Sequence, residues 1–149
     1  MILSALRDWS MRNSPVVLYL ILLGLIACKP KGKSEVAEIL GIEEPKDWIL
    51  VIHPEGCKTC LESLYDDLAS LTSNADAAIV ILAKSSKNLR MIPLIQDSPL
   101  PLYLDEYKVL IEKGVLELQD QILLFKDGSV EKFDILNYEK VFHSIASYK

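Results

Sequence analysis

Two uninterrupted apolar runs do most to limit what this chain can fold into. Trp48-Ile49-Leu50-Val51-Ile52 and Ala77-Ala78-Ile79-Val80-Ile81-Leu82-Ala83 carry no charge, and most of their bulk is β-branched or aliphatic. A strand with one wet face alternates apolar and polar residues, whereas a run without a polar position suits a strand buried on both faces. Between the runs, from Cys57 to about Ser73, Leu61, Leu64, Tyr65, Leu68 and Leu71 recur at spacings of three and four. That stripe predicts an amphipathic helix. A strand, a helix and a strand of this kind point to a layered α/β fold.

The rest of the chain extends the alternation. Glu35 to Ile42 predicts a short helix with Val36, Ile39 and Leu40 on one face, ended by Gly41 and Pro45. Ser85 to Gln96 is ambiguous: Leu89, Ile92 and Ile95 hint at a helix that Pro93 limits. Leu100 to Leu104 predicts a short strand. Asp105 then caps a helix to about Lys113, with Gly114 as its stop. Ile122 to Phe125 predicts a strand, Asp127-Gly128 a hairpin turn, and Val130 to Phe133 the antiparallel return. Asn137 is expected to cap a final helix striped by Tyr138, Val141, Phe142 and Ile145. The order β-α-β-α-β-α-β-β-α implies one three-layer α/β domain over residues 35–149. Its central sheet is mostly parallel, with an antiparallel C-terminal hairpin.

The first residues are read as an address. Val16 to Ala27 is twelve residues without a charge, preceded by Arg7 and Arg12. That is the layout of a signal peptide, and it is short of the roughly 20 residues of a membrane-spanning helix. Leu25-Ile26-Ala27-Cys28 follows directly and resembles the lipobox of bacterial lipoproteins. The resemblance implies removal of residues 1–27 and acylation of Cys28, which becomes the new N-terminus. Lys29 to Ser34 then reads as a flexible tether whose lysines meet anionic lipid or water. A lipid-anchored chain facing the periplasm or exterior of a bacterial envelope lies where disulfides persist. With 16 Lys+Arg against 21 Asp+Glu, the net charge of −5 argues against a nucleic-acid partner.

Cys57-Lys58-Thr59-Cys60 stands where the first strand gives way to the helix. A helix N-terminus offers unpaired N–H groups and partial positive charge, both of which favour a thiolate at Cys57. Lys58 adds to this potential and Glu55 opposes it. Cys60, one turn on, is close enough to form a disulfide and to act as the resolving thiol. His53, four residues before Cys57, is a candidate tuning group or a structural residue.

At this point the chain resembles the thioredoxin superfamily, and most of all its membrane-tethered extracytoplasmic members. The resemblance runs over roughly Trp48 to Lys149 and is carried by the first strand, the Cys57–Cys60 turn and Ile122-Leu123-Leu124-Phe125-Lys126-Asp127-Gly128. It implies a thioredoxin-like fold and thiol–disulfide exchange with substrate proteins and a redox partner protein, needing no cofactor and no metal. Three departures stand out. Val51 occupies the place of the family's buried acid, Gly56 replaces a tryptophan, and Asp120, between Gln119 and Gln121, falls where the family has a cis-proline. Asp120 is therefore a further candidate tuning residue. Two other readings of the cysteine pair stay open: an inert bridge in a noncatalytic binding or assembly lipoprotein, and a thiolate metal site with His53 as a third ligand.

Overall fold

The computed structural model describes residues 32–54, 58–71, 75–83, 93–117 and 121–147. The predicted buried runs form neighbouring strands, β1 (Trp48–His53) and β2 (Ala77–Leu82), paired in parallel. β3 (Leu102–Asp105) adds to β2 in parallel. β4 (Gln121–Lys126) lies antiparallel to β1, and β5 (Ser129–Phe133) returns antiparallel to β4. The five-stranded order is β3-β2-β1-β4-β5, so β1 is central. Every residue of β1, β2 and β4 is buried, as the absence of polar positions required for the runs Trp48–Ile52 and Ala77–Leu82, while His53, Gln121 and Lys126 are polar residues buried at strand ends. The sequence placed the antiparallel part in the terminal hairpin, and the structure carries it one strand further, to the β1–β4 pair.

Strand side chains alternate between two faces, and each face has its own helical cover. Trp48, Leu50, Ile52, Ile79, Ile81, Ile122 and Leu124 pack with Leu61, Leu64, Tyr65 and Leu68 of α2 (Lys58–Ala69). Leu94 of α3 (Pro93–Gln96) and Val141 of α5 (Glu139–Ala146) join them. On the other face Ile49, Val51, Val80, Leu82, Leu123 and Phe125 pack with Val36 and Ala37 of α1 (Lys33–Leu40) and Leu110 of α4 (Val109–Glu112). The result is the expected three layers, and Trp48 is in the core.

Local chemistry sets the ends of these elements. Gly41 closes α1 at φ 63, where the Ile42 amide reaches back to the Ala37 carbonyl. Gly128 turns the hairpin at φ 69. A residue without Cβ takes such values at no steric cost. Two expected caps differ. Asn137 lies inside a short 3-10 helix, Ile135–Asn137, and it is the Asp134 carboxylate that accepts from the Leu136 amide at 2.8 Å; α5 starts one residue later, after Tyr138. Asp105 is the last residue of β3 rather than the residue before a helix, yet its carboxylate still reaches the first amides of α4. The stretch Ser85–Ile92 lies outside the described residues.

The fold also begins earlier than expected. Lys33 and Ser34, read as tether, open α1. The Lys33 ammonium is buried, paired with Asp127 at 2.7 Å and bonded to the Lys46 carbonyl. A cation at a helix N-terminus opposes the helix dipole, and the ion pair with the hairpin turn offsets that. Lys33 is therefore engaged within the domain. At the same end of the sheet the Lys126 ammonium bonds Glu131 at 2.7 Å and Ser144 Oγ at 2.7 Å, tying α5 to the hairpin. The bonds from Lys126 and Ser144 hold the Glu131 carboxyl below its ordinary range.

Tyr65 is the exception to polar satisfaction. Among the described residues, its Oη is the buried side-chain polar atom without a hydrogen-bond partner. Burial pushes its pKa up to about 12. An unsatisfied buried hydroxyl costs roughly 1–3 kcal/mol, so Tyr65→Phe is expected to stabilise the fold by about 1 kcal/mol at neutral pH. The alkaline consequence has a definite sign. The folded pKa lies above the unfolded value of 10, so the unfolded chain releases its proton first. Wild-type stability is full below pH 10 and falls by about 2–3 kcal/mol as pH rises toward 12, a loss the phenylalanine variant lacks. Urea unfolding of both proteins from pH 9 to 12 checks this, and parallel curves would refute it.

Candidate disulfide site at the carboxyl end of the sheet

β1 and β2 run in parallel, and both end at the same edge of the domain. From that edge α2 sets out at Lys58, five residues after His53, the last residue of β1. Cys60 lies in the first turn of α2, half-buried and disulfide-bonded. No acidic residue occupies that turn. A sulfur there feels the helix's partial positive charge, which suits a thiolate when the disulfide opens. Cys57, Asp120 and Cys28 lie outside the described residues. Lys58 is placed by its backbone as the first residue of α2.

His53 is almost fully buried. It follows Ile49 and Val51 at steps of two, which puts it on the face covered by α1 and α4. Its Nε2 stands 3.3 Å from the Lys108 Nζ. His53 and Lys108 thus meet at the end of β1, and Cys57, the thiol His53 was expected to tune, lies outside the described residues. A metal at Nε2 would have to displace that ammonium. Among the described residues, no group of three His, Cys, Asp or Glu side chains comes together as metal ligands.

Two more buried polar side chains share this end and this face. Gln121 stands directly across from His53 in the β1–β4 ladder, and its amide donates to the Glu117 carbonyl at 3.0 Å. Asp105 stands across from Leu82, and its two carboxylate oxygens accept from Val109 N at 2.8 Å and Leu110 N at 3.0 Å. The α4 N-terminus is thus held by a carboxylate, which fixes the turn that carries Lys108. Sequence reasoning named Gln121 only as a neighbour of Asp120, and it missed Lys108. Lysine carries no propensity for the left-handed backbone it adopts here, so no local signal marked it.

No protein-family model matches the chain, and no curated protein matches it. Among solved structures, the crystal structure of the C-terminal domain of an uncharacterized protein from Bacteroides fragilis NCTC 9343 is similar. Its identity is 16%, it covers 68% of this chain and 80% of that one, and the TM-score is 0.45.

Proposed function

We propose that this chain is a thioredoxin-like, lipid-anchored protein of a bacterial envelope that exchanges disulfides with partner proteins through Cys57 and Cys60. The observation that carries the reading is the disulfide at Cys60, half-buried in the first turn of the helix that follows the central strand. Position supports reactivity, because a helix N-terminus stabilises the thiolate that opens from such a bond. In the exchange, the Cys57 thiolate attacks one sulfur of a partner disulfide. That S–S bond breaks and one partner sulfur leaves as a thiol. Cys60 then gives up its proton and attacks the Cys57 sulfur, releasing the second partner thiol. Two electrons and two protons pass from the pair to the partner, and the reverse sequence oxidises a partner dithiol. The sequence of residues 16–28 supports anchoring through Cys28, and no helix among the described residues is long and apolar enough to cross a membrane.

The reduction potential tests the reading. Exchange catalysts lie between about −270 and −120 mV, whereas structural bridges lie below about −300 mV. A value in the first range is expected. A value in the second, with slow reduction, would instead make the chain a binding or assembly module stapled by an inert bridge.

A further inference from the structure

The two edges of the five-stranded sheet differ in character. β5 forms one edge and carries Glu131 and Lys132, and charged side chains on an edge strand discourage pairing with another chain. β3 forms the other edge. Its residues Leu102, Tyr103 and Leu104 carry no charge and are half-buried.

The β2–β3 ladder shows which backbone groups of β3 are already used. Ile79 N–H donates to the Pro101 carbonyl at 2.9 Å, and Ala83 N–H donates to the Asp105 carbonyl at 3.3 Å. Leu102 is the ladder partner of Ile79 and Leu104 that of Ile81. In a parallel pair, alternate residues of a strand turn their N–H and C=O groups toward the neighbour. Pro101, Tyr103 and Asp105 therefore face β2, and the N–H and C=O groups of Leu102 and Leu104 face outward. Among the described residues these four groups have no partner, since β2 is the one strand beside β3. The donor that proline lacks at Pro101 is on the inner side, so the outer edge loses nothing by it. Just before the strand, the Ser98 hydroxyl donates to the Leu100 carbonyl at 2.7 Å and closes the edge there.

We propose that this edge pairs antiparallel with β3 of a second copy of the chain, about a two-fold axis through Tyr103. In that register Leu102 stands across from Leu104 of the second copy, and the two exchange both backbone hydrogen bonds. The symmetry repeats the exchange at the other end, so all four outward groups of each chain are satisfied. Tyr103 meets its own counterpart across the axis. Leu102 and Leu104 belong to the face covered by α2 and Tyr103 to the face covered by α1, so apolar side chains meet apolar side chains on both faces. The contact is self-complementary and closed, as a two-fold interface must be. The same operation on β5, about its central residue, sets Glu131 against Glu131, and like charges directly opposite are destabilising. The inference goes beyond the exchange reading and does not depend on it.

The test is oxidative cross-linking of the full chain in detergent, with the linked peptides identified by mass. Tyr103→Cys puts a thiol at a non-hydrogen-bonded pair, where Cα atoms about 4.5 Å apart are within disulfide reach. Val130→Cys, on the exposed edge of β5, reports chance collision and shared micelles. Tyr103→Cys is expected to link two copies through position 103 about tenfold faster or more, because pairing raises the local thiol concentration. Adding Leu104→Pro removes an outward N–H and no bond to β2, and it is expected to bring the rate down to the Val130→Cys level in a chain that still melts cooperatively. A Tyr103→Cys rate no higher than that of Val130→Cys overturns the proposal, as does a folded proline variant that cross-links as fast as its parent. Should the proline variant not fold, the register is read instead. Leu102→Cys is expected to cross-link with Leu104→Cys but not with itself, since diagonal positions about 7–8 Å apart are beyond disulfide reach. Equal rates in those two mixtures overturn the pairing.

Discussion

Replacing Cys60 with serine is expected to abolish multiple-turnover disulfide exchange and to trap a mixed disulfide between Cys57 and its partner. The first attack needs only the Cys57 thiolate, so it still occurs. The second needs a thiol one helical turn away, and serine cannot attack the Cys57 sulfur to release the partner. The trapped species therefore accumulates in stoichiometric amount, visible as a reductant-sensitive adduct on a non-reducing gel. The loss of stability should be modest by comparison. A bridge between Cys57 and Cys60 closes only a very short loop, and the chain-entropy relation gives about 2 kcal/mol for it. That contrast separates function from scaffolding. If the bridge is inert, Cys60→Ser loses a similar amount of stability, yet no adduct forms, because Cys57 has no exchange partner. Absence of adduct with a folded variant would move the chain to the binding-module reading.

Much of the scaffold was legible because its signals are local and redundant. The runs at Trp48 and Ala77 have no polar position, so they had to be buried on both sides whichever helices covered them. The α2 stripe declared its face through Leu61, Leu64 and Leu68. Other features needed distant partners. Lys33 looked like tether until the hairpin turn supplied Asp127 to pair with its ammonium. Asn137 was displaced as a cap because Asp134 nucleates a 3-10 turn ahead of α5. At the site, the strand–cysteine–helix junction could be read directly. That His53 faces α4 follows from its two-residue phase with Val51, but which helix lies on that face is a matter of topology. The Lys108 contact was hidden for the same reason, since it joins the turn before α4 to His53 at the end of β1.

Asp105→Ala is expected to cause the larger structural loss, about 2–4 kcal/mol, combining a lost helix cap with two amides left without their acceptor. Leu110 is fully buried, so water does not easily replace the carboxylate at its N–H. α4 spans only Val109–Glu112 and cannot sustain itself as an isolated turn. For a domain of this size the unfolding midpoint should fall by roughly 10–20 °C. Asp105→Asn retains one carbonyl oxygen, can satisfy one of the two amides, and is expected to lose about half as much. Calorimetry of wild type, Asp105→Ala and Asp105→Asn side by side checks both expectations. A loss below about 1 kcal/mol in Asp105→Ala would place the hold on this turn outside the cap.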